Sequence, residues 1–240
     1  MASDRTADYK KIRRRLNRAY SSMIVYGMGC DTQYIDTFLD DPVLGDLYRD
    51  DNEAKYKKWG ELLESGEHEE NHFLSSYFEE LSNAPSFSFA HCYVLKTSIA
   101  DTLPKKNRKR VTALELNGNI KEATNASGKI VKVSELDRDM HKPLFPNAQY
   151  DSKRKAVKLL ESAYTNDMIN IALFVGASGY CPVTESLYNL ALVNKSFIVV
   201  VNQDPNCFMH DLADISLKMK AEDFFEELAA QFGEDSEHYR

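Results

Sequence analysis

The apolar residues of this chain follow two different spacings. Between residues 8 and 21, Ile12, Leu16 and either Ala19 or Tyr20 recur at helical intervals, which predicts an amphipathic helix. The run SSMIVYGMG that follows is continuously apolar and ends in glycines. A buried strand that leads into a tight loop has this pattern, so this part of the chain is expected to form a helix followed by a strand.

The same two patterns alternate through much of the remaining sequence. Strands are predicted within FAHCYVLKTS, RVTALELNG, MINIALFVGAS, SFIVVVNQDP and HDLADISLKM, and helices within SKRKAVKLLESAYTND, TESLYNLALVN and AEDFFEELAAQFG. Gly233 closes the last of these helices with a C-cap signal. Continuous Val, Ile and Leu runs separated by helices predict an α/β fold, in which a doubly wound, Rossmann-like parallel sheet is covered on both faces.

Two segments depart from this alternation. Residues 36–87 are acidic and aromatic with a helical pattern, which indicates an inserted helical lobe. Residues 119–142 predict a hairpin, since Gly128 suits a left-handed turn. The domain organisation expected from these boundaries is a Rossmann-like domain built from residues 1–35, 88–118 and 143–234, with the lobe and the hairpin inserted and a tail at 235–240.

Charge and composition exclude some classes of function. The chain has 240 residues, 43% of them hydrophobic, and a formal net charge of -7. This negative charge argues against a nucleic acid or an anionic membrane as the main partner. Two basic runs, at residues 10–15 and 105–110, are interpreted as solvated surface.

The cysteines and the termini bear on compartment and metal content. Cys30, Cys92, Cys181 and Cys207 are widely separated, with no C-x-x-C spacing, so we expect buried reduced thiols and no zinc site. The polar N-terminus does not resemble a signal peptide, and the apolar run at 169–175 is too short to span a bilayer. A cytoplasmic protein is therefore expected.

Small and polar residues follow five of the predicted strands. Because parallel strands place their carboxyl ends at one edge of the sheet, these residues are expected to converge on one ligand crevice. They are Gly27-Met28-Gly29, Thr97-Ser98, Asn117-Gly118, Gly176-Ala177-Ser178 and Asn202-Gln203-Asp204.

Three of these groups allow two interpretations. The Gly27-x-Gly29 loop lacks a third glycine at dinucleotide spacing, so it either lets backbone N–H groups approach a pyrophosphate or simply forms a tight turn. Gly176 could likewise permit close approach, with the Ser178 hydroxyl for a phosphate or ribose, or belong to a plain turn. The Asn202 carboxamide could bind a ribose or adenine edge, or cap the next turn.

Taken in order, these motifs resemble the sirtuin (Sir2) family. LFVGASGYCPVTESL and FIVVVNQDPNCFMHDLADISLKMKAEDFFEELA are similar to the family's C-terminal third, from its Gly-Thr-Ser motif to its closing helix. The family's Gly-Ala-Gly-x-Ser loop is similar to MIVYGMGCDT, and its Gln-Asn-x-Asp strand end is similar to YVLKTSIADTL. Its Glu-Leu-His-Gly motif is similar to ELNGNI, and its Arg-Pro segment with Phe-Gly-Glu is similar to KPLFPNAQY. The resemblance implies a Rossmann-like fold that binds NAD or ADP-ribose.

The chain departs from that family where the chemistry would occur. Asn117 stands in place of the histidine that serves the family as general base, and a carboxamide cannot take up a proton. Ser98 and Ala100 align with the family's Asn and Asp, although Asp101 is one residue away. Asp31 replaces the serine of the glycine loop, and the cysteines of the family's zinc ribbon are missing.

Three functions are compatible with this pattern. The first is an NAD- or ADP-ribose-binding protein that is not an efficient protein deacylase. The second is a mono-ADP-ribosyltransferase or NAD glycohydrolase, in which Asp31 or Asp101 stabilises positive charge on the ribose. The third is a scaffold that acts through the aromatic stretch 59–78 of the lobe. A protein substrate or partner is compatible with all three.

Overall fold

The computed structural model describes residues 5–30, 74, 76–77, 91–97, 110–116, 122–125, 130–132, 141–143, 158, 160–162, 164, 169–179 and 182–233. The proposed lobe at 36–87 lies outside this set, apart from the helical residues Leu74, Ser76 and Tyr77. The proposed tail at 235–240 lies outside it too. The domain boundaries given above therefore stay predictions.

The described helices and strands follow the sequence patterns closely. In chain order they are α1 (Arg5–Arg18), β1 (Ser21–Tyr26), β2 (His91–Lys96), β3 (Val111–Glu115), β4 (Glu122–Asn125), β5 (Ile130–Lys132), β6 (His141–Pro143), β7 (Ile169–Val175), α2 (Pro182–Val193), β8 (Phe197–Val201), β9 (Ile215–Leu217) and α3 (Ala221–Gly233). Two short 3-10 turns lie at Met28–Cys30 and Phe208–Leu212.

Six of these strands form one sheet in the order β3-β2-β1-β7-β8-β9. Each neighbouring pair is parallel. The predicted doubly wound parallel sheet is therefore confirmed. A second sheet has the order β5-β4-β6, and β4 and β5 pair antiparallel where the sequence predicts a hairpin. The strand β6, which pairs antiparallel with β4, is an addition that the sequence did not predict.

The first helix starts and ends three residues earlier than predicted. Its buried side chains Tyr9, Ile12 and Leu16 lie on one face, and Ala19 just beyond the helix is buried as well. Tyr20 is 60% exposed, so Ala19 is the apolar position of the pair that the sequence left open. The helix packs against α3, where the rings of Tyr9 and Phe224 stack with centroids 5.8 Å apart.

The sheet is buried on both faces, which explains its continuous apolar strands. Ile24 and Tyr26 of β1 belong to a core that α1 and α3 cover, together with Leu74 and Tyr77. The alternate residues Met23 and Val25 belong to a second core, which contains α2 residues and the helical residues Leu160 and Tyr164. Within the described residues, no helix combines the length and the apolar composition needed to cross a bilayer.

The buried Tyr188 of α2 makes the free energy of unfolding depend on pH in alkaline solution. Its hydroxyl donates to the Met209 carbonyl oxygen over 2.8 Å, and burial raises its pKa to about 12. An acid whose folded pKa is raised stabilises the fold below its ordinary pKa of about 10 and loses that contribution as pH rises towards 12. Unfolding should therefore become easier across this interval.

A Tyr188→Phe variant should show a shallower loss of stability between pH 10 and pH 12 than the parent protein. It should also lose about 1 kcal/mol near neutral pH, because the Met209 carbonyl loses its donor. Urea unfolding at a series of pH values measures both effects. The matched control is Tyr20→Phe, since Tyr20 is exposed. Equal pH slopes for the Tyr188→Phe variant and the parent would contradict this assignment.

Candidate functional site

The order of the strands reverses direction between β1 and β7, which is where a ligand crevice is expected. From β1 the sheet continues through β2 to β3, and from β7 it continues through β8 to β9 in the opposite direction. The chain therefore continues into opposite halves of the sheet after β1 and after β7, and such a switch point is where doubly wound sheets bind ligands. Gly27 follows β1 and Gly176 follows β7, so both predicted glycine loops lie at this crevice.

The two glycine loops contact each other directly, backbone against backbone. A β-carbon on Gly27 would lie 2.5 Å from the Cα and the N of Ala177 and closer still to the carbonyl oxygen of Gly176. One on Gly29 would lie 2.9 Å from that oxygen, and one on Gly176 would lie 2.5 Å from the N of Cys30. Gly176 also has a φ of +61°, which favours glycine. The glycines are thus required for the loops to pack together.

Hydrogen bonds within the protein already use two of the loop N–H groups. The Gly27 N–H donates to the Val175 carbonyl over 2.9 Å, and the Gly29 N–H donates to the Gly176 carbonyl over 2.8 Å. Between the two readings left open by the sequence, this geometry favours a tight turn for these two groups. Met28 lies between them in the 3-10 turn, and its side chain lies outside the described residues.

The segment after β7 presents one hydroxyl to solvent. Ala177 is buried at 3% exposure, whereas Ser178 is exposed, and no hydrogen bond engages its hydroxyl within the described residues. Gly179 has a φ of +76°, and a β-carbon there would lie 2.6 Å from the Phe208 ring. The segment is therefore closely packed on both sides of Ser178, which leaves that hydroxyl available to a ligand.

Asn202 holds this segment in place. Its Nδ2 donates to the Ala177 carbonyl over 2.7 Å, and its Oδ1 accepts from the Asp204 N–H over 2.9 Å. The carboxamide therefore caps the next turn, as one interpretation holds, and also ties the end of β8 to the loop after β7. One amide hydrogen and one lone pair of the carboxamide are not used by these bonds. Gln203 beside it is exposed.

The polar groups of Thr97, at the end of β2, bond within the protein. Thr97 is 4% exposed, and both its N–H and its hydroxyl donate to the Tyr26 carbonyl, over 2.8 and 3.3 Å. The Thr97 hydroxyl thus joins the ends of β1 and β2. It is buried in this arrangement, in contrast to the Ser178 hydroxyl.

A buried ion pair lies beside Thr97, and the sequence interpretation missed it. The Lys96 ammonium group is completely buried and lies 2.7 Å from the Glu115 carboxylate, whose side chain is 31% exposed. The two residues are paired in the β2–β3 register. A lysine in an otherwise apolar strand pattern, followed by a predicted neighbouring strand that ends in glutamate, was the available signal.

Four predicted site residues lie outside the described residues. They are Asp31, Ser98, Asp101 and Asn117. Each is next to or near a described strand end or turn: Cys30, Thr97 and Leu116 are the last described residues before them. The structure thus brings together Gly27, Gly29, Gly176, Ala177, Ser178 and Asn202, and it leaves the roles of the other four as predictions.

Two buried thiols contact the end of β7 and the loop that follows it. The Cys30 thiol donates to the Val175 carbonyl over 3.1 Å, and the Cys207 thiol contacts the Ser178 carbonyl at 3.5 Å. Burial raises the pKa of Cys207, and burial also raises that of Cys92 to about 12, so these two thiols stay protonated. Among the described residues, no group of three or more His, Cys, Asp or Glu side chains could hold a metal ion.

The sequence and the fold of this chain were compared with those of known proteins. No protein-family model matches the chain, and no curated protein sequence matches it significantly. Solved structures do match. One of Sir2Tm bound to a propionylated peptide and one of Sir2 with a p53 peptide and NAD+ each have 17% identity and a TM-score of 0.68, over 93% of this chain and 98% of theirs. The chain has a sirtuin-type fold.

The sirtuin likeness covers nearly the whole chain. A mutant of a Sir2 homologue in complex with ADP-ribose also matches, with 14% identity and a TM-score of 0.68, over 95% of this chain and 98% of that one. The expected sirtuin-type architecture is therefore confirmed. The TM-scores establish the sirtuin-type fold, whereas sequence identities this low leave the activity to be argued from the residues at the switch point.

Proposed function

We propose that this chain binds NAD or ADP-ribose in the crevice between the ends of β1 and β7 and is not an efficient protein deacylase. The observation that carries the proposal is the bracing of the loop after β7. The Gly27–Gly176 contact holds it on one side, and the Asn202 carboxamide holds it on the other. This bracing holds the backbone that carries the exposed Ser178 at the switch point of the sheet.

The described residues fit the adenosine half of such a dinucleotide. Ser178 offers a hydroxyl for a phosphate or ribose, and Asn202 keeps one donor and one acceptor for a ribose or adenine edge. Gln203 is exposed beside them. Solved structures of the same fold include complexes with NAD and with ADP-ribose, which supports this ligand class.

The nicotinamide half is where deacylation is expected to fail. NAD would supply a nicotinamide–ribose bond that is readily cleaved when the sugar's developing positive charge is stabilised. Asn117 follows β3, and its carboxamide cannot accept a proton from a ribose hydroxyl. Ser98 and Ala100 lack the carboxamide and carboxylate that the family resemblance implies at these positions. Together these replacements favour binding over deacylation.

A second candidate is cleavage of NAD, as a mono-ADP-ribosyltransferase or NAD glycohydrolase. Asp31 directly follows Cys30, which is fixed at the crevice by its N–H bond to the Gly27 carbonyl and its thiol bond to the Val175 carbonyl. A carboxylate beside a fixed residue at this position, or Asp101 near the end of β2, would stabilise positive charge on the ribose. Release of nicotinamide from NAD, measured by chromatography, distinguishes this candidate from binding alone.

Other parts of the proposal concern partners, zinc and location. Neighbours of the same fold are solved with peptides, which supports a protein segment as a further ligand. We propose that the hairpin β4–β5 folds without zinc, and a metal analysis of the purified protein tests this.

A cytoplasmic location is supported by the three described cysteines, all of them buried free thiols. Action as a scaffold through the lobe is a third candidate, whose residues 36–87 mostly lie outside the described ones.

Asn202→Ala should weaken ADP-ribose binding about tenfold, because it removes a ligand contact and releases the Ala177 segment. Isothermal titration measures the change in dissociation constant. Asn202→Asp refines the test, since aspartate still accepts from the Asp204 N–H but cannot donate to the Ala177 carbonyl. The control is Asn194→Ala, an exposed asparagine at the other edge of the sheet. Unchanged affinity in both Asn202 variants would show that the adenosine site is elsewhere.

A further inference from the structure

The basic run at residues 10–15 forms part of a cleft at the opposite edge of the sheet from the crevice. The cleft has a volume of about 380 Å³ and is lined by Lys11, Arg14, Arg15, Arg18, Ala19 and Asn170. It opens beside a larger cleft of about 700 Å³, which shares Arg15 and Asn170 and adds Lys195. We call the two together the basic cleft.

The basic cleft is well separated from the proposed dinucleotide site. It is lined by Ile169 and Phe197, the first residues of β7 and β8, whereas the crevice lies at the last residues of these parallel strands. A seven-residue strand is roughly 20 Å long at about 3.3 Å per residue. A ligand bound at one edge therefore does not reach the other.

Four of the seven cations of α1 line the basic cleft and lie on one face of the helix. Lys11, Arg14, Arg15 and Arg18 are spaced by three and four residues, so they share one side of the helix. No ion pair joins any of the four to a carboxylate within the described residues. Like charges at such spacing destabilise a helix by a few tenths of a kcal/mol per pair. An anion bound in the cleft would offset this repulsion between the cations.

The structure also fixes two of these cations in place. The Lys11 ammonium and the Arg15 guanidinium lie 4.9 and 4.7 Å from the centroid of the same buried Phe197 ring. A cation–π contact orients each head group before any ligand arrives. Two cations over one ring form a site of concentrated positive charge in a protein whose net charge is -7.

The helix dipole and a neighbouring carboxylate offset only part of this positive charge. Arg15 and Arg18 lie in the last turn of α1, where the helix dipole favours cations, but Lys11 lies well before that turn and Arg14 at its border. Asp214 lines the larger cleft, and its carboxylate accepts the Ile198 N–H over 2.8 Å. Lys195 and Arg15 line the same cleft, so the cations outnumber this carboxylate.

We propose that the basic cleft binds a compact polyanion of the phosphate class, such as a polyphosphate or a small molecule with several phosphate groups. The concave shape and the volumes suit a small molecule. The negative net charge disfavours an extended polyanion such as a nucleic acid or an anionic membrane. Arg14 and Arg18 would bind one end of the ligand and Lys195 the other, with Arg15 between them.

Titration calorimetry with inorganic tripolyphosphate tests this proposal on the full chain. Saturable binding that weakens as salt increases is expected. Arg14→Gln/Arg18→Gln should reduce the affinity about tenfold or more, because two charge-assisted contacts are lost. The matched control, Arg5→Gln/Lys10→Gln, removes the same charge from exposed positions of α1 outside the cleft and should change the affinity less than about twofold.

Three results would overturn the proposal. They are the absence of saturable tripolyphosphate binding, equal losses in the two double variants, and tighter binding of RNA or anionic vesicles than of tripolyphosphate. The Arg14→Gln/Arg18→Gln variant should fold normally, since both side chains are exposed and the change removes a like-charge pair. Its ADP-ribose affinity should equal that of the parent, so this inference can fail independently of the proposed function. A parallel loss of ADP-ribose affinity would contradict two separate sites.

Discussion

Replacing Gly27 with alanine should lower the free energy of unfolding by about 3 kcal/mol or more. The added carbon would lie 2.5 Å from the Cα and the N of Ala177, and real β-carbons essentially never approach other atoms this closely. Its neighbours are backbone atoms at the ends of buried strands, so neither side can move without disturbing the sheet. For a domain of this size the melting temperature should fall by roughly 10 °C.

The neighbouring glycine provides the control for this prediction. A β-carbon on Gly29 would meet the Gly176 carbonyl oxygen at 2.9 Å and its Cα at 3.0 Å, so a smaller adjustment relieves the contact. Gly29→Ala should therefore cost about 1 kcal/mol. Urea unfolding of both variants measures the difference. If Gly27→Ala proves as stable as Gly29→Ala, the close approach of the two loops is not as described.

The Lys96–Glu115 pair should show a large coupling between its two members. Glu115→Met removes the carboxylate 2.7 Å from a fully buried ammonium group and should cost about 4 kcal/mol. Lys96→Met should cost less, about 2 kcal/mol, because the Glu115 side chain is 31% exposed and keeps part of its hydration. The double variant, Lys96→Met/Glu115→Met, should come within about 1 kcal/mol of the parent, since apolar residues of similar size replace a buried pair well.

A double-mutant cycle from urea unfolding measures this coupling. Non-additivity of several kcal/mol would show that the two side chains stabilise each other in the fold. Additive losses would mean that Lys96 and Glu115 act independently, in disagreement with the short contact. The Tyr20→Phe variant serves again as a surface control, because Tyr20 is exposed and far along the strand register from Lys96.

The sheet could be predicted because its burial on both faces requires a recognisable pattern of apolar residues in the sequence. A strand such as Ile169–Val175 must be apolar at nearly every position, and the helix at Ala221–Gly233 must be amphipathic to cover one face. The strand β6 escaped prediction since its three residues, His141–Pro143, carry no such pattern. Its pairing with β4 depends on the rest of the chain.

The candidate site was predicted only as a set of positions. Small and polar residues after the strands indicated which loops meet at the crevice. The sequence could not show that Gly27 packs against Gly176, or that the Asn202 carboxamide spans to Ala177, because these contacts join residues distant along the chain. It also could not show that the Thr97 hydroxyl is used within the sheet while the Ser178 hydroxyl is exposed. Such distinctions depend on strand register and loop geometry.

The most direct test of the central claim is isothermal titration of the protein with ADP-ribose and with NAD, followed by assay of the same samples for free nicotinamide. The account predicts that both ligands bind with similar affinity, because the adenosine half that they share provides most of the contacts, and that little nicotinamide is released. Nicotinamide release at a catalytic rate would favour the NAD-cleaving candidate instead. The absence of binding by either ligand would contradict the proposed dinucleotide site.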